Sequence, residues 1–265
     1  MSGHAGHEAG PAGAERRVVV HPDADTLAEA TAARLLVRLT DLQSVQPVTH
    51  VVLTGGTVGI KTLAAAAASP LVDAVDWSGV HLWWGDERFL PDEDPDRNET
   101  QAREALVDAL VSAGALPAEH VHAMPPLGPV ATPEESAAAY AAELARFAPD
   151  GGAAPAFDVL LFGMGPDGHV ASLFPGHPAL DVTGVATVGV HGSPKPPPER
   201  VSFTFETIHG AREVWVVAAG AEKADAVARA LGGDDVHGTP AAGATGSELT
   251  LWLVDAAAAG DTATA

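Results

Sequence analysis

The 265-residue chain contains no cysteine, which rules out disulfides, thiolate nucleophiles and thiolate metal sites. Aromatic residues make up only 5% of it, with a single tyrosine, so alanine must supply much of the helix packing. Cations are scarce as well. Fourteen Lys and Arg, only three of them lysine, stand against 35 Asp and Glu, and the formal net charge is −21. A surface of that sign repels nucleic acid and anionic lipid, so neither is an expected partner. No apolar run is long enough to span a bilayer, and Met1 to Glu15 lacks the apolar core of a secretion signal. These gaps predict a cytoplasmic protein, as a monomer or a weak homo-oligomer. Reaction motifs are missing too. No HExxH and no carboxylate–histidine cluster at ligand spacing is present, so no metal is expected. There is no GxSxG elbow of a serine hydrolase, no P-loop and no GxGxxG fingerprint.

What is present is a regular alternation of strand and helix patterns. Strands are predicted at Arg17 to His21, Val48 to Leu53, Val80 to Trp84, His120 to Met124, Phe157 to Phe162, Gly184 to Val190, Val201 to Phe205, Val214 to Ala218 and Leu249 to Val254. Helices are predicted from Asp23 or Asp25 to near Ser44, over 59–68, 99–113, 132–147 and 221–231. Thr132 is the N-cap of its helix, with Pro133 in the first turn and Glu134 and Glu135 at the positive end of the dipole. The pattern predicts an α/β fold: a Rossmann-like three-layer sandwich with a mostly parallel sheet and helices on both faces. One domain over 16–257 is expected, between a disordered tail at 1–15 and a flexible one at 258–265.

The densest signal is Phe157 to Gly176. An apolar run, Val159 to Phe162, reads as a strand buried on both faces, and it enters a turn with glycines at 163, 165 and 168. The turn carries Asp167 and His169, two residues apart. The carboxylate can hold one ring nitrogen, which leaves the other free to take a proton. A helix start near Gly168 would add backbone N–H groups. Two further strand ends carry Thr54-Gly55-Gly56-Thr57 and Gly85-Asp86-Glu87-Arg88. The first is either an ordinary tight turn or an anion cradle at a helix N-terminus. The second is either a solvated loop or an arginine clamp for phosphate, with Asp86 and Glu87 holding Arg88 or meeting sugar hydroxyls. A stiff loop, His191 to Arg200, presents Lys195 and Arg200 between two strands and reads as an anion-binding loop rather than a polyproline spacer.

In this order these pieces resemble the 6-phosphogluconolactonase family of the glucosamine-6-phosphate isomerase/deaminase-like superfamily. The matching stretches are Leu53 to Thr57, Trp84 to Arg88 with Pro91 and Asn98, Gly163 to His169 with Ala171 to Gly176, and Pro194 to Pro197 with Arg200. Leu116-Pro117 and His122 to Pro125 also match, and the likeness covers residues 17 to 255. One departure stands at Thr57-Val58-Gly59, where many members read Ser-Thr-Pro.

The resemblance implies hydrolysis of 6-phospho-D-glucono-1,5-lactone to 6-phospho-D-gluconate in the oxidative pentose phosphate pathway, with no metal and no organic cofactor. It implies His169 as general base and Asp167 as its neighbour. Arg88, Lys195, Gly55, Gly56 and Thr57 match phosphate-binding positions, with Arg200 weaker; Asp86 and Asn98 join them as candidate substrate contacts. The expected partner is a small phosphorylated sugar lactone. A glucosamine-6-phosphate deaminase or isomerase is the nearest alternative. It is disfavoured because Ala171-Ser172-Leu173-Phe174-Pro175 stands where that family has Ala-Phe-Asn-Glu-Pro. A non-catalytic sugar-phosphate binder is the other, and it would not need the Asp167–His169 pair.

Overall fold

The computed structural model describes residues 14–260. In chain order its strands are β1 (Glu15–His21), β2 (Thr49–Leu53), β3 (Val80–Trp84), β4 (Asp86–Arg88), β5 (Val121–His122), β6 (Val159–Gly163), β7 (Thr187–Val190), β8 (Arg200–Phe203), β9 (Glu213–Ala218) and β10 (Leu249–Asp255). Seven of them form a parallel sheet in the order β1-β10-β9-β6-β2-β3-β5. The apolar runs suit this sheet because both of its faces are covered. Val52, Trp83, Leu160, Phe162, Val216 and Trp252 pack into one layer. The alternate residues Val51, Leu82, Trp84, Leu161, Val217 and Leu253 pack into the other. A core closed on both sides in this way tolerates truncation poorly: Leu→Ala there costs about 2–5 kcal/mol.

Helix α1 (Ala24–Gln43) starts where the side chain of Asp23 accepts from Thr26 N at 2.8 Å, and it buries Leu27, Leu35, Leu36 and Leu39. Helix α2 (Gly56–Ala68) follows β2 after two residues. Both lie on one face, together with a helix over 98–112 that passes through a π-helical stretch at Arg103–Val107. The helix Pro133–Arg146, capped by Thr132, covers the other face. No described helix is long and apolar enough to cross a membrane.

Sheet order fixes where a ligand can bind. From β2 the chain moves to β3 on one side; from β6 it moves to β9 on the other. The two strands are neighbours, with Val51 opposite Val159. Their carboxyl ends therefore flank the topological switch point, where open α/β sheets form their crevice.

The structure corrects several expectations. The strands expected at 184–190 and 201–205 leave the main sheet: β7 and β8 pair antiparallel with each other, and β8 with β4, in a separate three-stranded sheet. Phe205 begins the short helix Phe205–His209 instead of ending a strand. No helix starts near Gly168. Gly165 N donates to His169 O at 2.9 Å, closing the segment on itself, and Ala171 sits at φ 49, outside the helical region. The strand expected over 120–124 shrinks to β5. Most of the expected tails lie outside the described residues. Within them, Glu15 already pairs with Leu249, and Ala258 and Ala259 are buried in a last helical turn.

Candidate active site

A cavity of about 480 Å³ opens at the carboxyl ends of β2, β6, β9 and β10. The turn after β6 forms one wall. His169 Nδ1 faces Asp167 Oδ1 at 2.6 Å, so Nδ1 carries the proton and donates it to the carboxylate. In the neutral ring that arrangement places the lone pair on the other nitrogen. Burial by itself would raise the Asp167 carboxyl. The His169 hydrogen bond, followed by the charge of Lys195, outweighs that and holds it well below the ordinary carboxylate range. Such closeness needs Gly165: a Cβ there would fall 2.0 Å from His169 Nδ1 and 2.3 Å from Asp167 Oδ1.

The turn after β2 forms the facing wall. Gly55, Gly56 and Thr57 line the cavity at the N-terminus of α2, where free N–H groups and the helix dipole attract anions. Thr54 Oγ1 accepts from Gly163 N at 3.0 Å and ties the two turns together. Asn98 supports the glycine loop. Its Nδ2 donates to Asp86 O at 2.9 Å, and a Cβ on Gly55 would fall 1.8 Å from its Oδ1. Glu87 anchors this corner from behind, accepting from the backbone N–H groups of Arg88, Asn98 and Glu99. Burial pushes its carboxyl up to about 7 against the pull of Arg97. Asp86 lines the cavity and accepts from Ser172 Oγ at 2.7 Å, which links β4 to the segment after β6.

All three lysines of this acidic chain, Lys61, Lys195 and Lys223, line the same cavity, as does Arg88. Arg88 is tethered through Nη1 to the carbonyl of Asp96. Lys61 pairs with Asp25 at 2.7 Å on the exposed rim. Burial, and then the neighbouring charge of Lys195, keep Lys223 below the usual lysine range. Arg200 also lines the cavity, but Nε and Nη2 donate to the carbonyls of Lys195, Pro196 and Pro197. Its guanidinium lies 5.6 Å from the Phe174 ring centre, and Phe174 packs against His169. Its geometry is that of a brace for the proline-rich loop.

The structure thus gathers His169, Gly55, Gly56, Thr57, Arg88, Lys195, Asp86, Asn98 and Arg200 around one space; Asp167 does not line it and reaches it through His169 and Lys195. Sequence reasoning passed over Lys61 and Lys223. The signal available was their rarity, since a lysine is exceptional in a chain of net charge −21.

Residues 22–252 match the model of the family described as glucosamine-6-phosphate isomerases/6-phosphogluconolactonase. The chain is 54% identical over 247 residues to a 6-phosphogluconolactonase of Streptomyces coelicolor, covering 92% of this chain and 93% of that one. It is 45% identical over 244 residues to a 6-phosphogluconolactonase of Mycobacterium leprae, covering 91% and 96%. A solved 6-phosphogluconolactonase from Trypanosoma brucei superposes with a TM-score of 0.77 at 28% identity, covering 95% of this chain and 99% of that one.

Proposed function

The chain belongs to the glucosamine-6-phosphate isomerase/6-phosphogluconolactonase family, and on that premise we propose how its cavity works. The chain is a lactone hydrolase: it converts 6-phospho-D-glucono-1,5-lactone to 6-phospho-D-gluconate in the oxidative pentose phosphate pathway. His169 is the general base. Its unprotonated ring nitrogen removes a proton from a water molecule as the water oxygen bonds to the lactone carbonyl carbon. Negative charge builds on the carbonyl oxygen and is countered by the cations of the cavity. When the carbon–oxygen bond of the ring breaks, the imidazolium returns its proton to the departing ring oxygen, which becomes a hydroxyl. Asp167 holds the ring in the tautomer this requires.

The substrate's phosphate lies across the cavity, held by the amides of Gly55, Gly56 and Thr57 and by Arg88, Lys61 and Lys223. Gripping the far end of the substrate sets the ester against His169 and removes much of the entropic cost of the encounter. Asp86, Asn98 and Arg200 keep the walls in place. Every residue in this account comes from one chain, so a monomer suffices, and we place the enzyme in the cytoplasm with its phosphorylated substrate.

One observation carries this reading: His169, paired with Asp167, and every lysine of the chain line a single cavity at the switch point. A coupled assay tests it. Glucose-6-phosphate dehydrogenase generates fresh lactone, and acid release is followed with and without the protein. Acceleration above the spontaneous rate is expected; ammonia release from glucosamine 6-phosphate would reject the assignment.

A further inference from the structure

Lys195 sits closer to the base than a phosphate ligand needs to be. Its Nζ lies 3.2 Å from Asp167 Oδ1, the same oxygen that accepts from His169, and 3.4 Å from His169 Nδ1. Nδ1 already carries a proton toward Asp167, so the second approach is no hydrogen bond. It is an ammonium held against an imidazole N–H. The loop fixes this position. Lys195 O accepts from Ser193 Oγ at 2.8 Å and from Arg200 Nη2 at 3.2 Å, and Ser193 N donates to Pro198 O at 3.0 Å. The charged groups around the imidazole are Asp167 on its own turn, Lys195 from the loop, Lys223 near both beyond β9, and Arg200 behind Phe174.

We propose that Lys195 is a positioning residue for the hydrolysis, acting through Asp167 to keep His169 a free base in working geometry. The proposal takes His169 as the base, as above. An isolated carboxylate 2.6 Å from an imidazole favours the imidazolium, which cannot remove a proton from water. The Lys195 ammonium offsets that pull by sharing Asp167 Oδ1 and by opposing a second positive charge beside it. The remaining lysines and the N-terminus of α2 then hold the phosphate without requiring Lys195 to leave Asp167.

The test compares Lys195→Met and Lys195→Arg with the parent on two substrates: the phosphorylated lactone and glucono-1,5-lactone, which has no phosphate. The pH dependence of kcat/KM is recorded for each, and the ring signals of His169 are followed by NMR across pH. Lys195→Met is expected to lower kcat/KM on both lactones by a similar factor, roughly tenfold or more. Its acid limb and the His169 ring transition should move up by about one pH unit, while Lys195→Arg stays near the parent. A loss confined to the phosphorylated lactone and expressed in KM, with the acid limb and ring signals unmoved, would make Lys195 a phosphate ligand and overturn the proposal. If Lys195→Met does not fold, Lys195→Gln carries the same comparison. If the parent hydrolyses neither lactone, the functional assignment falls, and the ring transition alone still decides whether Lys195 acts on His169.

Discussion

His169 and the four histidines near the amino ends of β2 and β3 are the same side chain in two settings. His169 stands at the wall of an open cavity with a carboxylate and an ammonium beside it. At the other end of the strands, His81 Nδ1 meets His122 Nε2 at 2.9 Å, and His120 stacks on His81 with ring centres 3.8 Å apart. His50 Nδ1 accepts from Trp83 Nε1 at 3.1 Å, and His122 stacks on the Trp83 ring. Burial holds His50 down to about 4 and His81 to about 3, and the neighbouring imidazoles add to the shift. Only His122 has a direct carboxylate partner, Glu143, at 3.0 Å. The first setting leaves an imidazole facing a cavity; the second uses four of them as flat packing groups, with burial lowering His50, His81 and His122. On the proposed reading, access and one well-placed anion separate the base from the packed rings.

Four changes would break or sharpen that contrast. The largest effect belongs to His169→Ala, for which kcat in the coupled assay should fall by about 10²–10⁴ while KM stays near the parent value. Turnover close to that of the parent would erase the distinction between the two settings. Gly165→Ala drives a methyl group between His169 and Asp167, and the expected loss in kcat is on the order of 10² with the circular dichroism spectrum retained.

The third change is acid. His50 and His81 titrate below the ordinary 6.5 in the folded protein, so below that pH the unfolded chain binds more protons. Stability from the neutral cluster is complete above about 6.5 and is lost as the pH falls toward 4 and then 3. Urea midpoints taken from pH 7 to 4 should record a loss on the order of 3 kcal/mol, given partial exposure. His81→Phe should flatten that curve and leave neutral-pH turnover intact; an unchanged curve would mean the cluster plays no part in acid sensitivity. The smallest effect is expected from Arg88→Ala, which should raise KM about tenfold with little change in kcat, since it removes a grip and not the base.

Much of this was legible in the chain, for local reasons. The run Val159 to Phe162 had to be a doubly buried strand, and the glycines after it had to form a turn. Asp167 and His169 could find each other because only one residue separates them. The role of Gly165 was hidden, because it depends on how closely the ring folds back. A helix was read near Gly168 because nothing in Ala171 announces a left-handed backbone; surrounding packing imposes it. β4 escaped notice because three charged residues in a row look like loop, and its partner β8 lies more than a hundred residues away. Lys61 and Lys223 were missed because no motif surrounds them. The histidine cluster was illegible for a similar reason: its four rings come from three segments that only sheet order brings together.

The bond from Gly163 N to Thr54 Oγ1 makes the cavity a ruler. It clasps two turns that spring from adjacent strands, whose spacing of about 4.8 Å is set by the backbone. On the reading proposed above, the distance between the backbone of the glycine loop and the turn that carries His169 is thus set by the sheet. A phosphorylated lactone one carbon shorter or longer could seat either end well, but not both, and selection by length would need no residue that touches the middle of the molecule.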